Sequence, residues 1–152
     1  MKNSIISMSH SALYLYAEVC KPVCEELEIP QTAFDILMFL SNYPQWNTAR
    51  EITKFGGIKK NLVSMHVERL VAQGYVVREA VPGDRRQIRL EVTDKARAVV
   101  EKGHRVQKFY YEYLMKGLTH EEIEAYEKCM RTVSENMDAL HEELKKNLGE
   151  TL

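Results

Sequence analysis

Between Thr48 and Thr93 the chain runs TAREITKFGGIKKNLVSMHVERLVAQGYVVREAVPGDRRQIRLEVT, and its punctuation leaves few folds open. Thr48-x-x-Glu51 has the spacing of a capping box, in which the threonine oxygen and the glutamate carboxylate satisfy N–H groups left over at a helix start. Gly56-Gly57 ends that short helix. From about Lys60 to Gln73, Val63, Val67, Leu70 and Val71 share one side at helical spacing, and Gly74 suits the left-handed position just past a helix end. Asn61, Met65, Glu68 and Arg69 point away from this stripe, with Ser64 at its edge and Lys60 at the helix start. Two runs rich in β-branched residues follow, 75–79 and 87–92, interrupted by the turn signal Val81-Pro82-Gly83-Asp84. The expected layout is helix, tight turn, helix and basic hairpin.

Charge is distributed to match. Residues 50–97 carry 11 Lys/Arg against 6 Asp/Glu, whereas the rest of the chain carries 10 against 16, within a net charge of −1. Basic charge gathered on the one segment shaped to enter a groove is the electrostatic footprint of a DNA binder, with acidic flanks disfavouring misdocked orientations.

At 152 residues the chain suits one domain, or one subunit of an intertwined pair. An amphipathic helix is expected over about Ser9–Leu27, its narrow apolar stripe formed by Leu13, Tyr16, Ala17, Cys20, Cys24 and Leu27. Pro30 opens a second helix to about Asn42, with Phe34, Leu37, Met38 and Ser41 facing the core. After the hairpin, Thr93-Asp94 caps a helix to about Lys116, and Thr119-x-x-Glu122 opens a last one. That helix spaces Ile123, Tyr126, Met130, Val133, Met137, Leu140 and Leu144 in alternating steps of three and four, a heptad seam. A small domain has too little core to cover such a seam, so a second copy of the chain is the expected partner.

The segment Asn61-Leu62-Val63-Ser64-x-x-Val67-Glu68-Arg69-Leu70-x-x-x-Gly74-Tyr75-Val76-x-Arg78 resembles the recognition helix of the MarR (multiple antibiotic resistance regulator) family. Pro82-Gly83-Asp84-Arg85-Arg86, followed by Leu90-x-x-Thr93-x-x-Ala96, is similar to that family's wing signature. The resemblance implies a mainly α winged helix-turn-helix with a two-stranded β-wing and N- and C-terminal dimerisation helices. It divides residues 1–152 into a DNA-binding part, 30–93, and a helical dimerisation part, 9–28 and 94–148. The function it implies is a homodimeric transcriptional regulator of double-stranded DNA, a repressor by default, reading a near-palindromic operator; a cytoplasmic location is expected because the start MKNSIISMSH lacks a signal-peptide core.

On that reading Lys54, Lys59, Lys60, Arg69 and Arg78 position phosphates, and Asn61 and Ser64 read base edges. Met65 stands where many members of the family carry a basic residue, and offers apolar contact to a thymine methyl. The resemblance further implies that Asp84 orients an arginine, Arg86 foremost, while Arg85 or Arg86 enters the minor groove. His66 borders the core side of the recognition helix, where it either fills space or touches a phosphate.

Family members commonly release DNA on binding a small phenolic or other aromatic compound; Tyr14, Tyr16, Phe39, Trp46 and Tyr110 are the candidate contacts here. One branch senses organic peroxides through a first-helix cysteine, which Cys20 or Cys24, with Cys129 as resolving partner, fits loosely. Against this, a thiol on an apolar stripe usually behaves as a small buried hydrophobe. A third alternative is a winged-helix module that binds protein and not DNA. The scattered histidines give no zinc-ligand spacing, and neither a nucleophile elbow nor a phosphate-binding glycine loop is visible, so no metal, cofactor or enzymatic activity is expected. No apolar run is long enough to span a bilayer, so no membrane association is expected.

Overall fold

The computed structural model of the chain describes residues 5–81 and 84–149, the backbone alone at 84–86 and 148–149. The elements in order are α1 (Ile5–Glu26), α2 (Gln31–Asn42), α3 (Ala49–Gly56), α4 (Lys60–Ala72), β1 (Val76–Val81), β2 (Asp84–Val92), a turn of 3-10 helix (Asp94–Ala96), α5 (Arg97–Leu114) and α6 (His120–Gly149). The fold is a mainly α winged helix-turn-helix. The chain divides into two compact units, the first running to Tyr110 and the second from Tyr111 onward.

The first unit is built around α2. Ala33, Phe34 and Ile36 through Leu40 are all buried, so this helix is apolar nearly all round and serves as the central post. Around it pack Cys20 and Cys24 of α1, Ile52 of α3, Val63, Val67 and Leu70 of α4, Val76 and Leu90 of the hairpin, and Ala96 and Val99 beyond it. Burying an aliphatic or aromatic side chain completely is worth about 1.5–3 kcal/mol, so the post and its contacts dominate this unit's stability.

Local signals set the boundaries. At α3 the capping box is complete: Thr48 Oγ1 accepts from the Glu51 N–H at 3.3 Å, and Glu51 Oε2 accepts from the Thr48 N–H at 2.9 Å. Gly57, at φ 67°, turns the chain out of α3, and Gly74, at φ 74°, turns it out of α4. Pro30 stands one residue outside α2, as its N-cap, rather than in its first turn. The first helix begins four residues before the expected Ser9, at Ile5.

The hairpin is antiparallel, with Val76 opposite Val92, Arg78 opposite Leu90 and Ala80 opposite Ile88. Both strands reach further than the β-branched runs, since pairing continues to Val81 opposite Asp84 after a register shift. Pro82 and Gly83, expected at the turn, lie outside the described residues. The root is tied to α4 in an unexpected way. Thr93 does not cap the following helix with its side chain; its hydroxyl donates to the Gly74 carbonyl at 2.6 Å, and its N–H to the Tyr75 carbonyl at 3.0 Å. Lys95 Nζ donates to the Gln73 carbonyl at 2.7 Å. The carbonyl of Gln73 at the α4 C-cap and those of Gly74 and Tyr75 just beyond it are thus satisfied by residues from beyond the hairpin.

In the second unit, Gly117 (φ 90°) precedes the Thr119–Glu122 capping box that opens α6. Tyr111 Oη donates to Glu127 Oε1 at 2.6 Å, linking the end of α5 to α6. The heptad seam is largely bare: Tyr126, Met130, Met137, Leu140 and Leu144 are exposed, with Ile123 and Val133 half-buried. The apolar stripe of α1 behaves similarly, buried only at Cys20 and Cys24 while Leu13 stays exposed.

Candidate nucleic-acid interface

Helix α4 has two faces of opposite character. Val63, Val67 and Leu70 are packed into the core, and Asn61, Ser64, Met65, Glu68 and Arg69 are all exposed. Met65 keeps 55% of its surface in solvent on this outer face. His66 lies on the packed side; burial, then the nearby Arg69 charge, lowers its pKa, and its Nδ1 has no hydrogen-bond partner. It therefore fills space in this unit rather than facing outward.

The start of α4 is basic and open. Lys59 is its N-cap and supplies no side-chain cap, so the first-turn N–H groups donate no hydrogen bond to its side chain. Such a terminus carries partial positive charge and suits a phosphate oxygen. On α3, Lys54 is exposed with its Nζ 4.8 Å from the centroid of the Phe55 ring, a cation–π contact that holds it at the helix end.

Two of the expected phosphate contacts are already engaged inside the chain. Arg78 Nη2 donates to Glu68 Oε2 at 2.6 Å. Arg69 Nη2 makes a longer contact, 3.4 Å, to the carbonyl of Glu28. Glu28 adopts a left-handed backbone (φ 51°) in the α1–α2 turn. Neither pairing follows from helical or strand periodicity, because partners 10 and 41 residues apart carry no shared repeat. At the hairpin tip, Asp84, Arg85 and Arg86 lie in β2 by their backbone; the expected pairing of Asp84 with Arg86 lies outside the described residues.

Residues 27–87, which contain α2, α3, α4 and β1, match the profile of the MarR family. The winged-helix part of this chain is similar to the MarR family. Solved structures agree on the fold over the longer span. The wild-type MarR of E. coli is 22% identical, with a TM-score of 0.65 over 86% of this chain and 97% of that one. A MarR protein of Peptoclostridium difficile is 20% identical, with a TM-score of 0.75 over 90% and 89%. The regulator BpsR of Bordetella bronchiseptica, whose DNA binding is regulated by 6-hydroxynicotinic acid, is 20% identical, with a TM-score of 0.66 over 88% and 95%. MarR-family proteins are transcriptional regulators rather than enzymes. No helix among the described residues is long and apolar enough to cross a membrane.

The five aromatic residues expected at a MarR-type effector site fall in three places. Tyr14 is exposed on α1. Tyr16 and Tyr110 meet edge-on at 5.5 Å, and Tyr110 Oη donates to the Ala12 carbonyl at 2.6 Å. Phe39 and Trp46 belong to a ladder with Tyr43 and Phe55, in which the Trp46 and Phe55 rings stack at 4.4 Å. Trp46 thus packs against Phe39, Tyr43 and Phe55. A cleft of about 480 Å³ between α1, the α1–α2 turn and Arg69 is lined by other residues, among them Lys21, Cys24, Glu25 and Gln31.

The cysteines are free, with Cys20 and Cys24 buried and Cys129 exposed on α6. Burial raises the Cys20 pKa and pushes that of Cys24 up to about 12, which disfavours the thiolate that peroxide chemistry requires. Both belong to a polar chain through the joint of α1, α2 and α5. His104 Nε2 lies 3.0 Å from Asn42 Oδ1, Asn42 donates to Gln107, and Gln107 donates to Tyr16 Oη. Cys20 lies between Tyr16 and Gln31, and Gln31 Nε2 donates to Asp35 Oδ1 at 2.8 Å. Burial raises the Tyr16 hydroxyl and brings the Asp35 carboxyl up to about 6, the Gln31 hydrogen bond offsetting part of the latter.

Proposed function

We propose that the chain is a homodimeric repressor that binds double-stranded DNA, each subunit laying α4 in a major groove and its hairpin against the neighbouring minor groove. The observation that carries this is the two-faced α4: one side is anchored in the core of the first unit, and the other offers Asn61, Ser64 and Met65 to solvent behind Lys59 and Lys60. Asn61 is suited to adenine, Ser64 to either donor or acceptor edges, and Met65 to a thymine methyl. Lys54, Lys59, Lys60 and the uncapped N–H groups of α4 take phosphates, with Arg69 and Arg78 available once their internal partners release them. Asp84, Arg85 and Arg86 complete the wing contact.

The exposed apolar rows of α1 and α6 support association of two copies, since rows of this length left in water are costly and a second copy offers the complementary surface. Two recognition helices on a two-fold axis read half-sites about one helical turn apart. Residues 30–93 thereby form the DNA-binding part, and 9–28 with 94–148 the dimerisation part. A small aromatic effector weakens binding, a reading prompted by BpsR, whose DNA binding is regulated by 6-hydroxynicotinic acid.

The test is retardation of duplex DNA from the gene's own upstream region across a salt series. Binding that falls steeply with salt and is lost when Asn61 and Arg86 are replaced by alanine supports the proposal. A protein that fails to bind at low salt, or sediments as a monomer at micromolar concentration, refutes it.

A further inference from the structure

Resting on the DNA-binding reading, we propose that Glu68 and Arg78 form a charge clip that withholds an arginine from the phosphates and fixes the root of the wing to the recognition helix. Glu68 lies two turns along α4 from Asn61 and is exposed on the same side as Ser64 and Met65. A carboxylate on a face that approaches DNA meets the negative field of the phosphates, unless a cation stands against it. Arg78 supplies that cation from β1, where it sits opposite the buried Leu90 in the hairpin register. The pair therefore spans from the reading helix to the half of the hairpin that is packed down.

Its setting shows what the pair is for. The side chains are 38% and 70% exposed, so solvent screens the attraction and the fold gains little from it. What the pair does fix is where the Arg78 guanidinium points. The hydrogen bond and charge of Arg78 also hold the Glu68 carboxyl below its ordinary range, so the pair persists through neutral pH. The two halves of the pair thus have opposite consequences on DNA. Removing the acid frees a cation for a phosphate; removing the cation leaves an acid facing phosphates.

The experiment compares the full-length protein with Glu68→Gln, Arg78→Gln and the charge-reversed double variant Glu68→Arg, Arg78→Glu, on a duplex of arbitrary sequence and on the upstream region. Glu68→Gln is expected to tighten binding to both duplexes and to steepen the slope of log K against log salt by about 0.9 for each recognition helix engaged, one extra phosphate contact apiece. Arg78→Gln is expected to weaken binding several-fold without steepening the slope, and the reversed pair to return to wild-type behaviour. Effects of the same sign in the two single variants, or an unchanged slope in Glu68→Gln, overturn the clip.

A second arm needs no DNA. In the protein alone, an arginine-directed dicarbonyl is expected to modify Arg78 faster in Glu68→Gln than in wild type, as read by peptide mass; equal rates overturn the clip. A wild-type protein that ignores duplex DNA refutes the DNA reading and, with it, the role on phosphates, while the dicarbonyl rates still decide whether the pair exists.

Discussion

A methyl group added to Gly103 on α5 would stand 2.2 Å from the Met38 sulfur on α2, with the Phe34 ring at 3.1 Å. The absence of a side chain at this position is what lets α5 lie against the central post. Alanine is intrinsically the better helix former by about 1 kcal/mol, but overpacking a filled core costs about 1–3 kcal/mol. Met38 is itself buried, so its thioether would have to shift within the core to make room. Gly103→Ala is therefore expected to lower stability by about 1–2 kcal/mol in urea unfolding, and shortening Met38 to alanine in the same chain should make the two changes less than additive. A Gly103→Ala protein as stable as wild type would show the helices free to separate.

Asp35 gives the stability a pH dependence of definite sign. Its folded-state value, about 6, lies above its ordinary value of 3.8. Between those values the folded chain binds more protons at this site than the unfolded chain, so this group makes stability rise as pH falls from neutrality toward 4. Asn at this position still accepts the Gln31 hydrogen bond and carries no charge to bury. Asp35→Asn is thus expected to be more stable than wild type at pH 8 and to have a flatter profile between pH 8 and 5. A parallel profile in both proteins would remove Asp35 as the source.

Trp46, the single tryptophan, reports on the junction of α2 and α3 through its stack with Phe55. Such aromatic pairs contribute about 0.5–1.5 kcal/mol beyond simple burial. Phe55→Ala is expected to shift the tryptophan emission to the red and to cost about 1–3 kcal/mol in stability. Unchanged emission would mean that Tyr43 and Phe39 alone keep the ring covered.

Cys20 and Cys24 should be poor nucleophiles. Their raised values keep the thiolate fraction low near neutrality, and burial blocks reagents. Alkylation of both at pH 7.5 is expected to be at least ~100-fold slower than in the urea-unfolded chain, whose thiols titrate at about 8.5. Rates approaching those of the unfolded chain would favour the peroxide-sensing alternative.

Much of the architecture is legible in the sequence because its determinants are local. The Thr48–Glu51 and Thr119–Glu122 boxes act over three residues, and Gly57 and Gly74 stop their helices by backbone conformation alone. The direction of the α4 stripe also follows from spacing, which is why the exposure of Asn61, Ser64 and Met65 agrees with expectation. Contacts between elements are a different matter. Asn42 meets Gln107 across 65 residues and Tyr16 meets Gln107 across 91, and no periodicity encodes which way one helix is rotated toward another. Thr93 shows the limit even for a local signal. It is in place to cap a helix, yet its hydroxyl finds the Gly74 carbonyl, a stronger claim made by tertiary structure. The same ignorance of rotation hid the Glu68–Arg78 pair and the stack of Trp46 on Phe55.

The bonds of Thr93 to Gly74 and Tyr75, with that of Lys95 to Gln73, make the hairpin a closed cassette. Its two ends are fastened to the end of α4 and to each other, so changes of length or composition at the far end are not transmitted to the helix. On the DNA-binding proposal, the reach of the wing and the text read by α4 are therefore free to diverge separately, one by insertion at the tip, the other by substitution on a single helical face.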